Sequence, residues 1–213
     1  MSKFPLFTGL AAVATLALGL SLTSRATADD HMEEAEAKPM QAQIGQPAPE
    51  FSLKDQEGND VNLADHKGKI IVLEWFNDQC PYVKKWYGQG NMNTLASQYA
   101  DKDVVWLAVD SSNFSSVEEN AQIASEWKID RPLLDDSEGK VGKMYGAKTT
   151  PHMYIIDTEG NLAYMGAIDD NSSSNTADIE SATNYVAQAL DELLAGESVS
   201  TQETRPYGCG VKF

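Results

Sequence analysis

Hydrophobic and polar positions divide the chain into three regimes. Leu6 to Leu22 is apolar almost without break, Asp29 to Gln46 is acidic and rich in Ala and Gln, and from Pro47 onward short apolar runs alternate with stretches of helical spacing. KIIVLEWFN (Lys69 to Asn77) is nearly continuous in apolar residues, the pattern of a strand buried on both faces of a sheet. VVWLAVD (Val104 to Asp110) and MYIID (Met153 to Asp157) repeat it. Thr158 to Asn161 then turns the chain into NLAYMGAI, a fourth strand. Two alternating stretches flank Glu57-Gly58-Asn59, which predicts a hairpin.

Helical spacing runs from Pro81 towards Tyr99 with a break at Gly88 to Gly90, and again from Ser116, a suitable N-cap followed by Glu118 and Glu119 in the first turn. GKVGKMYG forms a short helix closed by Gly146, and Ile179 to Leu194 a last one ending at Gly196. Strands and helices alternate, then a hairpin and a helix follow. The expected fold is an α/β sandwich with a mixed central sheet.

The first regime carries its own message. Lys3, the apolar run and the Ala26-Thr27-Ala28 site have the layout of a bacterial-type secretory signal peptide over residues 1–28, with an uncleaved membrane anchor as the alternative. No later segment is apolar enough to span a bilayer, so no stable span is expected after cleavage. Residues 29–46 read as a disordered acidic linker, 47–199 as one folded domain, and 200–213 as a C-terminal arm. Acidic residues outnumber basic ones 32 to 16, for a net charge of −16. Such a surface repels nucleic acid and anionic lipid. Export to the periplasm or the exterior places the two cysteines, Cys80 and Cys209, where disulfides form and persist.

Cys80 follows a buried strand and opens a helix, with Pro81 at the first helical position, where its missing N–H costs nothing. A helix start and the nearby Lys84 and Lys85 favour the thiolate, the reactive form of sulfur. The alternative is a buried, inert cysteine. No cofactor is expected, since the chain holds no Gly-rich phosphate loop. One Cys and one His do not make a metal site, and Asp169-Asp170-Asn171 reads as a solvated loop.

Strand, Cys-Pro at a helix start, and the later TTPHMYIID resemble the thioredoxin superfamily, which implies a three-layer α/β sandwich. In that superfamily a proline in the place of Pro151 follows a cis bond and packs beside the reactive cysteine, and a carboxylate is buried six residues before it, where Glu74 stands. Glu74 would then exchange a proton with a leaving sulfur, its pKa raised by burial; a solvated strand end is the alternative. CPYVKKW, TPHMYIID, GAIDD and the PYGCGVKF tail resemble more narrowly the peroxiredoxin-like AhpC/TSA redoxins, over roughly Gln46 to Phe213. The resemblance implies a groove formed by Pro81, Tyr82, Thr150 and His152 around the reactive Cys80, with Pro151 shaping it. It implies protein or small-molecule thiols and disulfides as partners, and a thiol reductant.

Two departures matter. Peroxiredoxins carry Pro and Thr or Ser where this chain has Leu73 and Asn77, and an arginine near the place of Pro151. Without those donors a peroxide O–O bond gets little transition-state stabilisation, so thiol peroxidase activity is expected to be weak. Thioredoxins carry a second cysteine where Val83 stands. The tail supplies the other sulfur of an even pair: Cys209, between Gly208 and Gly210, which leave its backbone mobile. The expectation is thiol–disulfide exchange with Cys80 attacking and Cys209 resolving. A static Cys80–Cys209 clip in a non-catalytic binding module, worth about 5 kcal/mol on the chain-entropy account, and intermolecular or unpaired cysteines stay open.

Overall fold

A computed structural model of the protein describes residues 41–213. The signal peptide read over 1–28, and the linker as far as residue 40, lie outside the described residues. Order begins earlier than Pro47: Ala42 is buried, its N–H donates to the Met144 carbonyl at 3.1 Å, and the Gly45 N–H donates to the Leu162 carbonyl at 2.8 Å. Residues 42–46 therefore belong to the folded unit and not to the linker.

The chain forms β1 (Ser52–Lys54) and β2 (Asp60–Asn62), the expected hairpin, then β3 (Ile70–Phe76), α1 (Pro81–Tyr87), α2 (Asn91–Ala100), β4 (Val104–Asp110) and α3 (Val117–Trp127). It continues with β5 (Leu133–Asp135), α4 (Lys140–Tyr145), β6 (Thr149–Thr150), β7 (His152–Ile156), β8 (Leu162–Gly166), α5 (Tyr185–Leu194) and β9 (Cys209–Gly210). Seven strands form one sheet in the order β2-β1-β5-β4-β3-β7-β8, and β6 with β9 forms a separate two-stranded ribbon. β3, β4 and β5 run parallel while β7 and β8 run antiparallel, so the sheet is mixed, as expected.

The nearly continuous apolar run of β3 has a simple cause. Every one of its residues is buried, because the strand is shared by two cores. Ile70, Val72 and Phe76 face a core filled from α1, α2, α3 and α5 by Trp86, Leu95, Ala124 and Leu190. Ile71, Leu73 and Trp75 face the other, filled by Val141 and Tyr145 of α4. The break between α1 and α2 falls where Gly90, at φ 73°, caps α2 in the left-handed region that favours glycine. Four elements differ from expectation. β5 is three residues long and β6 and β9 two each, too short to show a period. α5 starts at Tyr185 rather than Ile179, because the Asn184 side chain accepts from the Ala187 N–H and caps it there. Among the described residues no helix is long and apolar enough to cross a membrane.

Candidate functional site

The turn between β3 and α1 is built by Asn77. Its side-chain oxygen accepts from the Gln79 N–H at 2.8 Å, and its amide donates to the Ser112 hydroxyl at 2.7 Å. Both ends of the side chain are thus engaged, where a peroxiredoxin would hold a hydroxyl. The turn delivers Cys80 to the N-cap of α1, with Pro81 at the first position. Cys80 is only 2% exposed, and its Sγ lies 2.9 Å from the Thr150 carbonyl oxygen, to which the thiol donates. The Thr150–Pro151 bond is cis and Pro151 is buried. β9 lies antiparallel to β6, with Cys209 directly opposite Thr150. The ribbon therefore brings together two cysteines 129 positions apart in sequence, Cys80 buried and Cys209 part-exposed, both as free thiols.

Their environments push them apart. Burial raises the Cys80 pKa, but hydrogen bonds to its sulfur from the Cys209 thiol, the Thr150 hydroxyl and the backbone N–H groups of Cys209 and Val83 more than offset this, leaving it below the ordinary thiol value. With the thiol protonated and donating to the Thr150 carbonyl, the Thr150 hydroxyl is buried without a partner, which makes it a donor that a thiolate there would take. Cys209 is pushed up to about 11 by burial, by its bond to Cys80 and by the charge on that sulfur. The protein thus presents one sulfur that ionises more readily than an ordinary thiol and one that ionises less readily. Replacing Cys209 by alanine removes a donor, so the Cys80 titration followed by thiolate absorbance is expected to move to higher pH. An unchanged or lower midpoint would show that the second thiol does not support the first.

The arm is held on both sides of Cys209. Its entry is paired to β8: the Met165 N–H donates to the Gln202 carbonyl at 3.0 Å and the Thr204 N–H to the Met165 carbonyl at 3.1 Å. The Tyr207 hydroxyl donates to Asp169, whose carboxylate pairs at 3.2 Å with Lys85 of α1, both side chains fully buried. A Cβ on Gly208 would run into the Thr150 carbonyl, and its φ is 142°. Gly208 therefore admits close contact with β6, and does not serve as the mobile spacer its sequence position suggested. The Phe213 ring then rests against Gly139, the N-cap of α4, and Gly142 within that helix.

Four expected residues land differently from their sequence reading. His152 pairs with Trp75 across β3 and β7, and its Nδ1 is 3.0 Å from the Tyr154 hydroxyl, on the sheet face away from the core that takes in Cys80. Burial pushes its pKa down to about 3, with the charge on Lys148 adding to the effect. It is a neutral core histidine, outside the groove. Thr150 is beside Cys80, but the arm covers it, so the groove there is already filled. Asp169 is buried, not solvated. Lys85 is committed to Asp169, which leaves Lys84 as the exposed cation. Pro81 is exposed and Tyr82 half-buried, its ring meeting Tyr207 edge-on at 5.8 Å, so both lie at the rim.

Glu74 is fully buried, which removes the solvated alternative. It accepts from the Tyr87 hydroxyl at 2.9 Å and the Trp106 indole at 3.0 Å, and pairs with Arg131 at 3.3 Å. Arg131 also donates to the Tyr87 hydroxyl at 2.6 Å and to Asn93 at 2.9 Å. This cation has no counterpart in the sequence reading. No local spacing connects positions 74 and 131, and only the buried charge itself signals that a partner is required.

The family model described as the AhpC/TSA family matches residues 44–165. Among curated proteins, the thiol-disulfide oxidoreductase ResA of Bacillus cereus is 29% identical over 126 residues, which is 59% of this chain and 70% of that protein. The thioredoxin-like protein YneN of Bacillus subtilis is 34% identical over 122 residues, 55% of this chain and 68% of that protein. Among solved structures, an uncharacterized conserved protein from Geobacillus kaustophilus superposes with a TM-score of 0.69 at 31% identity, covering 80% of this chain and 92% of that one.

Proposed function

This chain belongs to the AhpC/TSA family, and from that premise we propose that it is a redoxin-type thiol–disulfide oxidoreductase whose working pair is Cys80 and Cys209. The observation that carries the reading is the pairing of Cys209 with Thr150, which sets it over the buried Cys80 thiol. Cys80, its sulfur surrounded by donors, attacks a disulfide; Cys209 then attacks the Cys80 sulfur and closes the internal bond. An external thiol reductant returns the pair to the dithiol. Pro151 holds the β6 edge against the thiol. Glu74, paired with Arg131 and accepting from Tyr87 and Trp106, braces the core that takes in Cys80, and the proton exchange that the resemblance implied is not assigned to it. The resemblance to ResA, named a thiol-disulfide oxidoreductase, supports the reaction class. The Leu6 to Leu22 run and the Ala26 to Ala28 site support action outside the cytoplasm.

The test is a redox titration in glutathione buffers, with thiols trapped by alkylation and counted by intact mass. One two-electron transition above roughly −230 mV is expected for an exchanging pair. A bond that resists reduction below roughly −300 mV would instead mark a static clip and return the protein to the binding-module reading.

A further inference from the structure

The sulfur assigned to attack is the less accessible one. Cys80 is 2% exposed, and what roofs it is the protein's own C-terminal arm. Among the described residues β6 has no strand partner other than β9. A polypeptide adding a strand beside Cys80 would need the same backbone groups that β9 now holds. The arm's anchors flank the cysteine. Before it stands Tyr207, bonded to the buried Asp169–Lys85 pair. After it, the Asn113 N–H donates to the Lys212 carbonyl at 2.8 Å, the Asn113 side chain donates to the Phe213 carbonyl at 3.2 Å, and the Phe213 ring fills the notch left by Gly139 and Gly142.

Resting on the exchange reading above, we propose that the arm is a size filter, so that Cys80 takes low-molecular-weight linear disulfides and excludes disulfides carried in a polypeptide. A small disulfide needs only a local lifting of the two-residue β9. A polypeptide disulfide brings chain on both sides of its sulfur and needs the whole segment from Tyr207 to Phe213 displaced. In the step itself the Cys80 thiolate attacks one sulfur of RS–SR, the S–S bond breaks, and RS⁻ leaves with the electron pair and takes up a proton. Cys209 loses its proton and attacks the Cys80 sulfur, which expels the second RS⁻. The small disulfide is reduced to two thiols, and the protein is oxidised to the Cys80–Cys209 disulfide.

The experiment mixes the fully reduced full-length chain with hydroxyethyl disulfide or with insulin, under single-turnover conditions so that no other reductant is present. Acid quenching and intact mass read the loss of the two protein thiols. Each rate is divided by that of dithiothreitol with the same disulfide, which removes their intrinsic difference. The normalised rate is expected to be at least roughly tenfold higher for hydroxyethyl disulfide, the scale of losing one or two anchoring hydrogen bonds. The double variant Asn113→Ala with Phe213→Ala frees the end of the arm without touching either sulfur. It is expected to raise the insulin rate and leave the hydroxyethyl disulfide rate unchanged. Equal normalised rates in the wild type, or a ratio the double variant does not alter, would overturn the filter while leaving exchange intact. If neither disulfide oxidises the wild type faster than it oxidises Cys80→Ser, the exchange reading falls and the filter with it.

Discussion

Replacing Lys85 by methionine is expected to cost about 3–5 kcal/mol of folding stability, the range for breaking a fully buried ion pair by removing one partner. The methionine keeps most of the volume and none of the charge. Asp169 would be left fully buried, with only the Tyr207 hydroxyl and the Asn171 N–H as donors. The loss should be read by urea unfolding of the reduced protein, so that no disulfide obscures it. A paired replacement, Lys85→Met with Asp169→Leu, is expected to recover most of it, because two apolar groups of similar volume leave no buried charge unmatched. A single-variant loss below about 1 kcal/mol would mean that water reaches the pair and that it behaves as a surface bridge. The consequence reaches the site, since Asp169 is what Tyr207 holds and Tyr207 leads directly into Cys209. A destabilised pair should therefore also loosen the arm, seen as faster alkylation of Cys80 in the folded protein.

What was legible in the chain, and what was not, follows from the range of each interaction. β3 and β4 could be read because burial on both faces leaves their runs apolar but for Glu74 and, at the end of β4, Asp110. Cys80 could be placed at a helix start because strand, turn and Pro81 are consecutive. His152 could not be placed by the same means. Period-two alternation sets it on the face of Tyr154 and Ile156, but the residues between are also apolar, so nothing in MYIID marks which face looks towards the thiol. β6 and β9 are two residues each. Their pairing joins positions 150 and 209, and no local pattern encodes it; only the cysteine count hinted that the tail returns to the site. The buried pairs Glu74–Arg131 and Lys85–Asp169 are of the same kind. Each charge reads locally as surface or as reactivity, and becomes structural only when the fold supplies the opposite charge.

The two cysteines should differ sharply in what their loss does. Cys80→Ser is expected to reduce disulfide exchange to the uncatalysed background, because the remaining thiol is partly buried, which still raises its pKa, and lacks the donors that converge on Cys80. Cys209→Ser should behave otherwise. Its Cys80 still has the Thr150 hydroxyl and the Val83 N–H as donors, so the first attack proceeds. Nothing within the chain then resolves the product. Mixed with hydroxyethyl disulfide, Cys209→Ser should gain the mass of one mercaptoethanol and hold it, while the wild type should pass through the same adduct to an internal disulfide two protons lighter than the dithiol. The asymmetry separates the possible roles of the arm. If Cys209→Ser turned over fully, an external thiol would be the resolver and the ribbon pairing would only position Thr150. If Cys80→Ser formed the stable adduct and Cys209→Ser did not, the attacking sulfur would be the one on the arm. Only an adduct confined to Cys209→Ser matches a structure in which the donors converge on Cys80 and the second sulfur is held across Thr150 from it.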